Sequence, residues 1–124
     1  MKVRISGNKI RFRVKEPEVK RFQKEGVLSE VLEFGDSEND RLKFTLKESD
    51  LDEIFVKFQS NETIVFVPRA QCETWTLTEL VGFDADVDTG KGKIVSVFVE
   101  KDFMCMDGRE EDNIGSYPNP LAAS

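Results

Sequence analysis

The sequence contains no histidine, so its chemistry rests on carboxylates, ammonium and guanidinium groups, one tyrosine and two thiols. That absence removes Ser-His-Asp and Cys-His nucleophile systems, His-ligated zinc and imidazole bases working near neutral pH. Asp84, Asp86 and Asp88 have the alternating spacing that opens an EF-hand loop. The sixth position is then Thr89, where the sharp turn requires glycine, and the twelfth is Val95, where a bidentate carboxylate is required. The EF-hand reading fails and a solvated loop is expected. Gly90-Lys91-Gly92-Lys93 lacks the Walker spacing and runs into a strand, which makes it a flexible hairpin turn. Met104-Cys105-Met106 groups three soft sulfurs, but packing at the end of the last strand is the simpler reading. The acidic turn of Asp107, Glu110, Glu111 and Asp112 offers cation binding, acid–base chemistry or pairing with basic residues elsewhere. No catalytic residue, metal or cofactor is assigned from these patterns.

Charge is distributed unevenly. The chain carries 18 Lys and Arg against 24 Asp and Glu, a net of −6, yet residues 1–15 contain six basic side chains and no acidic one. Arg4, Lys9, Arg11 and Arg13, joined by Lys43, are the candidate residues for holding an anionic small molecule or an acidic protein partner. The competing reading is that they are outer strand positions paired with neighbouring carboxylates. A pI near 4.8 argues against nucleic acid, whose backbone recognition usually rests on a strongly basic domain. No apolar run approaches the roughly 20 residues of a membrane-spanning helix, and the first residues are too charged for a signal peptide. With two unpatterned cysteines, Cys72 and Cys105, these features give the expectation of a cytoplasmic protein without membrane contact. Oligomeric state is left open.

The elements that must position these groups follow from periodicity. Val3 and Ile5, then Ile10, Phe12 and Val14, alternate with basic residues across Ser6-Gly7-Asn8, predicting an opening β-hairpin. Pro17, Glu18, Val19, Phe22 and Gly26 predict a short helix with two apolar side chains on one face. Strands are expected at 27–34, 41–47, 54–58 and 63–67, then a helix from Pro68 to about Trp75, a polar loop at 84–93 and a last strand at 94–101. The short connections suggest an antiparallel meander, with 54–58 and 63–67 central and covered on both faces. The predicted fold is therefore α+β: an antiparallel sheet of about six to seven strands curled into a partial barrel or sandwich, with two short helices. One globular domain over residues 1–120 is expected, its tail anchored by Phe103 and Tyr117, with 121–124 frayed. No internal repeat is apparent.

The opening Met1-Lys2-Val3-Arg4-Ile5-Ser6-Gly7-Asn8, the block Ile64-Val65-Phe66-Val67-Pro68, and the ending Glu100-Lys101-Asp102-Phe103-Met104-Cys105 with Pro118-Asn119-Pro120 resemble a group of small uncharacterised bacterial proteins, a domain of unknown function. The resemblance spans nearly the whole chain. It implies a self-contained bacterial cytosolic domain and brings no catalytic residues. The functional expectation is a small, non-enzymatic binding or interaction module using a charged sheet face. The alternative is an enzyme or carrier for an anionic small molecule held by Arg and Lys on a concave sheet.

Overall fold

The computed structural model describes residues 1–103. In chain order the elements are β1 (Lys2–Ser6), β2 (Lys9–Val14), α1 (Glu16–Glu25), β3 (Val27–Glu33), β4 (Arg41–Ser49), β5 (Phe55–Gln59), β6 (Glu62–Pro68), α2 (Arg69–Leu77), β7 (Gly82–Asp88) and β8 (Ile94–Lys101), with a single 3₁₀ turn at Glu38–Asp40.

The eight strands form two four-stranded sheets, ordered β1-β2-β8-β7 and β3-β4-β6-β5. Each is mixed, because the central pairs β2–β8 and β4–β6 are parallel while the outer pairs are antiparallel hairpins. This corrects the expected antiparallel meander, and neither sheet closes into a barrel. Short connections do force sequential strands to pair antiparallel, but the central pairs join strands that are not consecutive in the chain. Two further corrections concern single elements. β7 occupies the segment expected to be a loop, because Phe83, Ala85 and Val87 alternate inward against Asp84, Asp86 and Asp88. Burial of that inner face outweighs the poor strand propensity of aspartate. β5 lies at a sheet edge rather than centrally, and Phe55 and Phe58 remain exposed.

The chain also repeats itself. A shift of 53 residues carries the register pair Lys2↔Arg13 to Phe55↔Phe66, and carries Lys9↔Ser96 onto Glu62↔Lys43. It likewise takes Val19 and Phe22 of α1 to Cys72 and Trp75 of α2. Each half is a ββαββ unit that gives one hairpin to each sheet, so the exchange of halves also exchanges the sheets. The operation is a pseudo-two-fold, absent from the sequence reading because the equivalent residues share apolar character rather than identity.

One core fills the space between the sheets and under the helices. Phe12, Val14, Val97 and Val99 of the first sheet meet Leu28, Leu46, Val65 and Val67 of the second, with Val19, Phe22, Cys72 and Trp75 from the helices. Helix α1 starts where Pro17 supplies a preset φ and Glu18 accepts from the Lys15 N–H at 3.0 Å. It stops at Gly26, whose φ of 73° is left-handed and whose N–H donates to Phe22 O at 2.7 Å. The two helices pack on each other and close one end of the sandwich. Two ties hold the start of the chain: the Met1 ammonium pairs with Glu18 and, at 3.0 Å, Glu30, while Lys2 Nζ lies 3.2 Å from Asp102 Oδ2, a buried oxygen that accepts no well-formed hydrogen bond among the described residues. Phe103 is half-buried. The expectations for Met104 to Met106, the acidic turn, Tyr117 and the frayed end lie outside the described residues.

Candidate functional site

β2 runs from the Gly7-Asn8 turn toward α1, so that turn marks the end of the sandwich opposite the helices. The Ser60-Asn61 turn and the 89–93 loop lie at the same open end. Ser60 and Asn61 both have positive φ, as a two-residue hairpin turn of the primed class demands. Gly90 and Gly92 supply φ near +80° in the other loop.

A cleft of about 900 Å³ opens there, between the sheets. Ile5, Ile10, Phe44, Phe55, Val56, Phe58 and Val95 give it an apolar wall. Lys9, Lys57, Lys91 and Lys93 also line it, with Asn8, Gln59, Thr63 and Thr89 as neutral polar groups, and among the described residues no carboxylate does. The cleft lies across the pseudo-two-fold, since Ile5 and Phe58 are equivalents under the 53-residue shift and so are Ile10 and Thr63. Three of the four lysines do not obey that symmetry: Lys9, Lys91 and Lys93 have Glu62, Glu38 and Asp40 as equivalents, whereas Lys57 has the basic Arg4. Those three charges therefore break an otherwise symmetric scaffold.

Local chemistry explains how the rim is held. Asn8 Nδ2 donates to Ile94 O at 2.7 Å and Ser96 N–H donates to Asn8 O at 3.0 Å, which clamps the β1–β2 turn beside the start of β8. Asp88 Oδ1 accepts from Gly90 N–H at 2.8 Å, and Thr89 N–H donates to Lys93 O at 3.1 Å, so Lys91 and Lys93 project from a tied loop. None of the four lysines forms an ion pair among the described residues.

Of the five candidate residues for an anion site, only Lys9 lines the cleft. Arg4, Arg11 and Arg13 sit on the outer face of the first sheet, because Ile10, Phe12 and Val14 take the inner positions of β2. Arg4 and Arg11 are directly opposite in register. Arg11 lies over the Phe98 ring, 4.9 Å from its centroid, with its Nε 3.4 Å from Glu100 Oε1. Arg13 Nε is buried with no hydrogen-bond partner among the described residues. Lys43 is on the outer face of the second sheet, 3.8 Å from Glu62, whose carboxylate also accepts from Thr45 Oγ1 at 2.6 Å. The five candidates therefore do not converge. Lys57, Phe55 and Phe58 go unnoticed as site residues in the sequence, and Lys91 and Lys93, which the sequence offers only as a hairpin turn, line the cleft; their signal is apolar and cationic residues in segments bounded by tight turns.

Among the described residues no group of three or more His, Cys, Asp or Glu is placed to hold a metal ion, and no helix is long and apolar enough to cross a membrane. Cys72 is buried against Val67 O, and burial pushes its thiol up to about 12, assisted by the Glu48 carboxylate, so it is a packing group rather than a nucleophile.

Fold and cleft together define a two-sheet α+β domain, internally duplicated, with one end plugged by helices and the other open. Residues 1–121 match the family described as Family of unknown function (DUF7009), and the chain belongs to that family. No curated protein and no solved structure matches.

Proposed function

We propose that this chain is a ligand-binding module, that its site is the open-end cleft, and that its ligand is an anion carrying an apolar body. The observation that carries this reading is the cleft lining: among the described residues, four lysines and no carboxylate, beside Phe44, Phe55 and Phe58, in a chain of net charge −6. Concave apolar surface with a few polar groups at its margin is the general form of a small-molecule site. Among the described residues the charged side chains of the lining are lysine ammonium groups, which supports the binding of an anion.

The test is a titration of the whole chain with the amphipathic anion anilinonaphthalene sulfonate, read by fluorescence and by amide shifts in heteronuclear NMR. Shifts confined to residues 5–10, 55–59 and 89–95, with Phe44 and Thr63, are expected. Replacing Lys9, Lys91 and Lys93 together by Gln should weaken binding about ten- to hundredfold, the sum of three exposed charge contacts, while the melting temperature stays within a few degrees. Unchanged affinity in that variant, or shifts spread over the outer faces, overturns the assignment.

A further inference from the structure

The outer face of the first sheet is ordered by charge from edge to edge. Arg4, Arg11, Phe98 and Asp84 form one row across β1, β2, β8 and β7. In the next row Arg13 neighbours Glu100, with Lys2 at the β1 edge and Gly82 at the β7 edge. The β1–β2 half is basic and the β7–β8 half carries Asp84, Asp86 and Glu100. The equivalent face of the second sheet has no such division: by register, with a shift of 55 in this strand, Val27, Ser29 and Val31 of β3 stand where Gly82, Asp84 and Asp86 stand in β7.

We infer that this face pairs with the same face of a second copy of the chain, about a two-fold axis parallel to the strands and running between β2 and β8. That rotation keeps each row at its own height and reverses its left and right. Arg4 then lies over the partner's Asp84, Arg11 over the partner's Phe98, and Arg13 over the partner's Glu100. Every match is made twice, as an isologous interface requires, and the strands stay aligned as face-to-face sheets do. The buried Nε of Arg13, without a hydrogen-bond partner among the described residues, belongs to this face. A uniformly acidic partner fits worse, because it meets Asp84 and Asp86 with like charge. Four strands spaced at about 4.8 Å, each some 20 Å long, make a face of roughly 400 Å², so the association is weak, concentration-dependent and salt-sensitive.

This inference is independent of the cleft, and its variants touch no cleft residue. Sedimentation of the full 124-residue chain from a few micromolar to several hundred micromolar tests it. In about 20 mM salt a monomer–dimer equilibrium is expected, weakened at least tenfold at about 500 mM. Arg4→Glu alone and Asp84→Lys alone should each abolish dimerisation. A one-to-one mixture of the two variants should restore it, because both cross-contacts of the mixed dimer are then attractive, and so should the double substitution in one chain. A wild-type chain that stays monomeric throughout at low salt overturns the proposal even if a variant fails to fold. Association that is indifferent to salt, or variants that do not rescue each other, overturns it too.

Discussion

Phe22 and Trp75, equivalent residues of the two halves, pack edge to face with ring centroids 6.1 Å apart and planes at 70°. Trp75 continues the stack onto Phe83 at 5.7 Å and 89°, and its indole N–H donates to Val81 O at 3.1 Å. The contact lies where α1 meets α2, so it joins the duplicated units at the closed end, while the equivalent pair Ile5 and Phe58 line the cleft at the open one. Replacing either Phe22 or Trp75 by Ala should cost about 3–5 kcal/mol. The double variant should cost less than the sum, by about 0.5–1.5 kcal/mol, the coupling of an aromatic pair. Urea unfolding of the four chains measures both quantities; strict additivity would show that the rings do not interact.

Cys72 gives a pH signature. Its thiol, ordinarily near 9, is held at about 12 by burial, so between those values the folded chain keeps a proton that the unfolded chain releases. The unfolded state then binds fewer protons, and stability falls as pH rises through the window from 9 to 12. A Cys72→Val chain should lose stability less steeply over that range than the wild type, in thermal melts at half-unit steps. At pH 8 Cys72 should react with a thiol reagent only on unfolding; rapid reaction of the native protein at that position would contradict the burial argument.

How much of this was legible depended on what each residue reports about itself. Ile10, Phe12 and Val14 alternate with basic residues, and the alternation gave both the strand and its buried face. Pro17 and Gly26 marked the helix by local backbone demands. The pairing of Lys9 with Ser96 is not local, and no periodicity reports which strands become neighbours, so the parallel centres and the two-sheet division were not readable. β7 was lost because Asp84, Asp86 and Asp88 speak for a loop when each is read alone. The site was lost for the same reason as the topology: Lys9, Lys57 and Lys93 are distant in sequence and meet only through the fold.

Gly82 is set against Val99 O, which a built Cβ would approach to 2.3 Å, with the Glu100 backbone at 3.0 Å. Since the obstacle is the backbone of the adjacent strand, it cannot swing aside as a side chain would. Gly82→Ala should destabilise by about 1–3 kcal/mol as β7 shifts from β8. Gly90→Ala meets nothing within 4 Å and has only its positive φ to overcome, so about 1 kcal/mol is expected there. Equal losses at the two sites, measured by chemical denaturation, would mean that close approach does not decide the cost.

The internal duplication makes a prediction about connectivity. The two units are joined only by the five residues 50–54 between β4 and β5, and the shift of 53 places the equivalent junction between Asp102 and Lys2. Those two residues already meet, with Lys2 Nζ 3.2 Å from Asp102 Oδ2. A chain in the order 51–103, a short Gly-Ser linker, then 1–50 therefore has every strand pair and both helices available without a long crossing connection. Its proper comparator is residues 1–103 in natural order, which removes any contribution of the remaining residues from the comparison. The permutant loses the Met1 ammonium, and with it the pairs to Glu18 and Glu30, so a deficit of about 1–3 kcal/mol is expected, typical of hydrogen bonds to charged groups. Circular dichroism should match the comparator, and unfolding should remain a single cooperative transition. A permutant that is unfolded while the comparator folds would show that the halves are not interchangeable in order, and that the pseudo-two-fold describes their shape without governing their stability.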